Sequence, residues 1–408
     1  MSVSGNIVAQ NVTGTFNINT SANIIYVGTN GNDNNIGGIS TPLLTIGAAL
    51  TLAAGQGGNV SIHVAPGKYI ENNPLTIPPN TSLMGDNLRS VYVQPANPSQ
   101  DLFYMTSGTY VWGITIEGYT AAGFAYNPNT PTQNVFISPY IQNITSYTTT
   151  GTAVLIDGSL SSSFSTKAMI VGFFTIINKG GVGVRILNSG YSQLVNIYTI
   201  ACNVGIKVET GGFCTLNGSD CSIGNYGLIA DGVGAIQTSG FTVGDSTNGT
   251  FVVSNTSNGQ PHVNTVMSIN NGTPDTQYYT IDTIIPINAT TWAVVIQQTY
   301  TNVLPANTAV EFYNRSAIIA SAHTFEYVGA GTNPATALPQ YGGIPIEAQE
   351  VIQTNGGVVT FTSTDQKGNF KVGQGFTINQ ATGTITGNDF YKSLFAEMTP
   401  YILALSSD

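Results

Sequence analysis

Gly183-Val184-Arg185-Ile186-Leu187, Gly205-Ile206-Lys207-Val208-Glu209 and Gly227-Leu228-Ile229-Ala230-Asp231 are three copies of one pattern, a glycine followed by an apolar-rich run. The glycines are 22 residues apart. The likeness persists into the second half of each unit, at Tyr191-Ser192-Gln193-Leu194, Phe213-Cys214-Thr215-Leu216 and Ala235-Ile236-Gln237-Thr238. A unit of this length is too short for two helices and lacks a 3.6-residue apolar period. It suits three short strands and their turns. Stacked units place each strand about 4.8 Å above its equivalent, with like side chains in columns through the core. One rung cannot bury its own inner face, so the pattern must propagate and be capped.

Working upstream, the pattern loosens. Ala153-Val154-Leu155-Ile156-Asp157-Gly158 reads as another first strand, followed by Lys167-Ala168-Met169-Ile170-Val171 and Phe173-Phe174-Thr175-Ile176 in a lengthened rung. Val91-Tyr92-Val93, Leu102-Phe103-Tyr104-Met105 and Trp112-Gly113-Ile114-Thr115-Ile116 fit the same scheme. Seven to nine rungs between residues 60 and 245 would build a rod of about 35–45 Å. Thr45 to Ala54, stopped by Gly55, predicts a short helix with Ile46, Ala49, Leu50 and Ala53 on one face, placed to cap the open end. The expected fold is therefore all-β: a right-handed parallel β-helix with an N-terminal helix cap over 24–245, preceded by an extended arm at 1–23.

Downstream the spacing fades. Phe251-Val252-Val253, Tyr278-Tyr279-Thr280-Ile281, Trp292-Ala293-Val294-Val295-Ile296 and Val310-Glu311-Phe312-Tyr313 predict a small antiparallel β domain over 246–315, inserted on the rod or following it. Residues 316–408 are expected to form an attachment or oligomerisation region, with a strand pair at 370–385 and a short apolar helix near Phe390–Leu405 limited by Pro400.

Composition narrows the function. Only 7% of residues are charged, and the net charge is −10. A negative field repels phosphate and yields no counterion release, which argues against nucleic acid as a partner. No apolar run is long enough for a membrane-spanning helix. The opening MSVSGNIVAQ lacks a basic and an apolar segment, so no secretory signal is expected. On that expectation the Asn-x-Ser/Thr triplets at Asn143, Asn217 and Asn288 follow from composition and are not glycosylation sites. Cys202, Cys214 and Cys221 have no metal-ligand spacing and read as small core residues in a chain made in a reducing cytosol.

Two resemblances follow from particular motifs. Tyr26-Val27-Gly28-Thr29-Asn30-Gly31-Asn32-Asp33-Asn34, Pro42-Leu43-Leu44-Thr45-Ile46 and Ile62-His63-Val64-Ala65-Pro66-Gly67-Lys68-Tyr69 resemble the opening of pectin-lyase-like right-handed β-helix proteins. Residues 24 to about 245 are similar to β-helix structural proteins of tailed marine phages, through Met84-Gly85-Asp86-Asn87-Leu88-Arg89, Ser138-Pro139-Tyr140-Ile141-Gln142-Asn143 and Ile156-Asp157-Gly158-Ser159. In the tail, residues 362–373 (TSTDQKGNFKVG), Phe376-Thr377-Ile378-Asn379-Gln380-Ala381-Thr382-Gly383, and residues 325–332 with Ala337-Leu338-Pro339 resemble cyanophage tail and fibre proteins. The resemblance implies a virion protein that assembles as a homo-oligomer, most often a trimer, with other virion structural proteins and a host surface glycan as further partners. Fold alone does not imply function.

β-Helices also carry polysaccharide-degrading enzymes, so the acids need weighing. Hydrolysis takes two carboxylates about 5–10 Å apart on one face. Glu117, Asp157, Glu209, Asp220 and Asp231 are candidates, and a depolymerase would draw on Glu209, Asp231 and Asp220. Glu209 and Asp231 can stack on adjacent rungs, yet each sits at a strand end, where a turn also favours an acid. A lyase would need Arg or Lys as base and a calcium-binding acid cluster. The arginines are Arg89, Arg185 and Arg315, and Arg185 with Lys207 reads as a solvated outer face. His63, His262 and His323 have no second His at ligand spacing, and no metal or cofactor is expected. Tyr119, Phe124, Tyr126 and Tyr140 fall in a Pro/Asn-rich stretch and are expected at the surface, packing against another subunit or stacking on sugar rings. The resulting expectation is a non-enzymatic tail, fibre or baseplate protein, with a glycan depolymerase and a capsid-surface decoration protein as alternatives.

Overall fold

The structure, a computed structural model, describes residues 23–130, 134–160, 169–244, 249–255, 265–269, 277–296, 299–300, 302–326, 347–361, 376–379 and 384–387. Residues 1–22 of the arm expected at 1–23, His262, residues 327–332 and 337–339 of the tail likeness, the 362–373 motif and the helix expected near Phe390–Leu405 lie outside these residues.

Both halves of the first two units and the first half of the third fold as rungs. Val184 pairs with Ile206 and Ile206 with Leu228, while Leu194 pairs with Leu216, all in parallel. Each is buried, so every column closes over the one below. The longest column runs Ile25, Ile62, Leu83, Val111, Ile141, Val171, Leu194, Leu216, Ala320 through successive parallel strands. A second sheet stacks Phe103, Phe124, Val154, Val184, Ile206, Leu228 and Val351. The chain is a parallel β-helix whose single core extends from Ile25 to Val359.

The helix Ile46–Gly55 closes its lower end and buries Ile46, Ala49, Leu50 and Ala53. Thr45 caps it, its hydroxyl accepting from Ala48 N at 3.1 Å. Glu71, from the first rung, accepts from Ile46 N (2.7 Å) and Gly47 N (2.9 Å) and is 2% exposed. Burial pushes its pKa up against those two donors, which pull it down.

Two boundaries differ from expectation. After the strand Tyr226–Asp231 the chain leaves the rod at Gly232 (φ +79°) and enters a closed antiparallel barrel. Its strands run in the order Val233–Thr242, Thr250–Asn255, Thr291–Ile296, Gln277–Asn288, Thr265–Ile269, Ala309–Arg315. The third half-copy, Ala235–Thr238, is therefore not a rung: it belongs to a barrel strand paired antiparallel with Ala309–Arg315. The barrel starts at Val233, not 246.

The rod then resumes. Ala317–Ser321 lies in parallel register on Phe213–Asn217, Thr324–Glu326 on Asp220–Ser222, and Glu347–Thr354 on Tyr226–Asp231. The region from 316 thus begins by adding solenoid, not by forming a separate module. Ser316 stitches the stem: its hydroxyl donates to Asp231 O (2.7 Å) and accepts from Gly211 N (3.0 Å), and its own N donates to Gly232 O (3.0 Å). The strands Phe376–Asn379 and Thr384–Gly387 form the antiparallel pair expected near 370–385.

Candidate contact face

The acids proposed for catalysis are brought together only in part. Glu209 and Asp231 do stack as Cα partners. Glu209 is 9% exposed and held by cations: Arg185 Nε and Nη2 reach Oε1 at 2.6 and 2.5 Å, and Lys207 pairs with Oε2. Arg185 and Lys207 are thus tied to an acid on the outer wall. Asp231 Oδ1 accepts from Thr354 Oγ1 (2.5 Å) and Asn355 Nδ2 (3.0 Å), linking the last two rungs. Asp220 accepts from Ser222 on the other sheet. Asp157 accepts from Ser159 and Asn188, and Glu117 from Gln94 (2.6 Å) with Lys68 at 3.2 Å. A general acid with a raised pKa and a free carboxylate facing it is the arrangement hydrolysis uses. These five carboxylates are instead engaged in turn and rung-to-rung contacts.

Among the basic candidates, Arg89 donates to Thr145 Oγ1 (3.2 Å), and Arg315 stands at the barrel stem as the partner of Val233, where burial lowers its pKa. His63 lies beside Tyr26, ring centroids 5.6 Å apart. His323 is buried on the resumed rung, and burial pushes its pKa down to about 3. Among the described residues no three His, Cys, Asp or Glu side chains gather as a metal site. The three thiols are buried, and burial raises Cys202 to about 12.

Three of the four aromatic candidates are misplaced by the sequence reading. Tyr119 and Phe124 are 0% exposed and Tyr126 is 4% exposed, all in the solenoid core. Phe124 stacks on Phe103 (5.3 Å) and meets Phe174 edge-on (6.1 Å), and Tyr119 hydrogen-bonds Ser146 inside. Long rungs enclose more volume, and these rings fill it. Only Tyr140 reaches the surface, beside Tyr110.

Exposed apolar side chains occur on the N-terminal loop, around Phe136 and on the barrel, and they also gather on three neighbouring rod strands, Tyr140–Thr148, Met169–Asn178 and Tyr191–Ile200. Tyr140, Tyr147, Phe173, Val195 and Tyr198 are all exposed there, and none of the three strands contains a charged residue. Each strand bends midway through one residue at positive φ. The register aligns these bends into a ridge: Gly113 (+73°), Asn143 (+55°), Phe173 (+52°), Asn196 (+54°), Gly218 (+58°) and Ala322 (+49°). Glycine takes this conformation freely and asparagine tolerates it, whereas a bulky residue loses about 1–2 kcal/mol there. Phe173 occupies it and is 59% exposed. Sequence reading placed Phe173 in a strand but had no signal for its backbone angle.

A rod with a continuous core, a helix cap, a side barrel and three adjacent strands free of charged residues defines a β-solenoid protein. Residues 29–242, just over half of the chain, match a family described as a protein of unknown function (DUF1565), and the chain belongs to that family. No curated protein matches it.

Proposed function

We propose that the chain is a non-enzymatic structural protein that works by surface contact, as a tail, fibre or baseplate component of a tailed-phage virion. The observation that carries the contact reading is the division of the surface. Carboxylates suited to hydrolysis are consumed by Arg185, Lys207, Thr354, Asn355 and turn donors, while three adjacent strands keep exposed aromatics and contain no charged residue of their own. A rod repeated at about 4.8 Å with a capped end is suited to bearing load and presenting side chains in rows. The virion assignment is supported by the likeness of residues 325–332 and 362–383 to cyanophage tail and fibre proteins. The natural assembly in this reading is a homo-oligomer, a trimer by the same likeness.

Peptide mass spectrometry of purified particles, with antibody labelling in negative stain, should find the chain at the tail. Particles lacking it overturn the reading. Incubating the protein with host surface polysaccharide should release no oligosaccharides, and chain shortening abolished by Glu209→Gln would make it an enzyme.

A further inference from the structure

We propose that Phe173 anchors a binding site for a neutral glycan on the ridge of the solenoid. The inference rests on the contact reading for its choice of surface, not on the virion assignment.

Strained backbone persists where something else rewards it, and the sound direction runs from the outlier to a function. Phe173 is such an outlier. The equivalent residues one rung below and above, Asn143 and Asn196, show what local energetics prefers at the bend. A phenylalanine there gains little from folding, because the residue stays 59% exposed and lies outside the solenoid core. It loses on both counts, backbone and hydration, unless the ring is covered in use.

The surroundings select the ligand. Tyr140–Thr148, Met169–Asn178 and Tyr191–Ile200 contain no Asp, Glu, Lys, Arg or His, and the chain as a whole carries −10. Arg89, from an earlier rung, reaches this face only through its bond to Thr145 Oγ1 (3.2 Å), so an acidic polymer meets no cation from the three strands themselves and a repulsive net field beyond them. What the face offers is rings and neutral hydrogen-bonding groups. Val195 and Tyr198 flank Phe173 on the next rung, Gln193 and Asn196 are exposed there, and Asn143 is half-buried on the rung below. A pyranose ring matches that pairing, with a C–H face to lie on an aromatic and hydroxyl edges for amide groups. Sugars linked along the rod axis would meet an equivalent position at every rung, about 4.8 Å on.

The test uses the full chain with neutral hexasaccharides of glucose, galactose and mannose in α and β linkage, titrated calorimetrically, with oligogalacturonate as the acidic comparison. The wild type should bind at least one neutral hexasaccharide and prefer it to the acidic one. Phe173→Gly and Phe173→Asn should weaken binding about tenfold or more, while their melting temperatures stay equal to or above that of the wild type. Three results overturn the site: no neutral binding by the wild type, unchanged affinity in both variants, or a preference for oligogalacturonate. A lower melting temperature in both variants would make the ring structural. A change in oligomeric mass on substitution would make the ridge a subunit interface. Localisation on the particle is unaffected by any of these outcomes, so the two readings fail separately.

Discussion

The rod and the barrel solve the same problem, burying strands, in opposite ways. In the rod each strand pairs with the equivalent strand of the rung before, in parallel, and the core is one column-built cluster from Ile25 to Val359. The barrel's antiparallel strands close on themselves around a core of their own, which among the described residues runs from Phe251 to Phe312 and shares no member with the rod's. A parallel ladder needs a template, not chain continuity. The chain can therefore leave at Gly232 and resume at Ser316 with the next rung still in register. A closed barrel has no free edge, so its presence does not compete with that template.

If the two cores are independent, damage to one should stay there. Phe124→Ala removes a ring packed between Phe103 and Phe174 and should cost the rod about 3–5 kcal/mol. Phe312→Ala should cost a similar amount in the barrel alone. Hydrogen exchange resolved by peptide checks both: protection should fall over 182–231 in the first variant and over 265–296 in the second. Loss spreading evenly through both regions would merge what the cores separate.

Acid should act on the rod through the rung that returns after the barrel. Burial holds His323 neutral with a pKa of about 3 against 6.5 for a free imidazole. The unfolded chain takes up a proton below 6.5 that the folded chain refuses. Stability from this group is complete above pH 6.5 and is lost as the pH falls toward 3, on the order of 2 kcal/mol by about pH 4.5. Melting curves from about pH 7 to 4.5 should show a shallower decline in His323→Gln than in the wild type. Parallel curves would remove His323 from the account.

A smaller effect belongs to the outer wall. Glu209→Gln leaves Arg185 and Lys207 facing each other without their shared anion, and Arg185 is partly solvated. The loss should be about 1–2 kcal/mol, with the wild type more salt-sensitive than the variant. Urea titration at low and high salt measures both.

Much of the rod was legible because period-two alternation and an exact 22-residue spacing reinforce each other between 182 and 231. The helix cap was legible too, from Thr45, the apolar face and Gly55. What failed failed for physical reasons. Ala235–Thr238 alternates like a rung, since strand alternation is the same in parallel and antiparallel pairs. The resumption at Ala317 had no local signal, because register is set by a partner strand far away in sequence. Tyr119, Phe124 and Tyr126 read as surface residues among Pro and Asn, but a longer rung needs larger side chains to fill it. Phe173 looked ordinary, as backbone φ has no signature in an apolar run.

The central claim, that the rod continues across the barrel, can be tested by crosslinking. The 22-residue pattern places Gln237 above Thr215, while the structure places Ile319 there as its direct Cα partner. The native thiols are buried and compete poorly. Under mild oxidation Thr215→Cys with Ile319→Cys should close an intramolecular disulfide, seen as a mobility shift without reductant, because adjacent parallel strands bring Cα atoms within bonding range. Thr215→Cys with Gln237→Cys should not. The reverse outcome, a bond to position 237 and none to 319, would contradict the account.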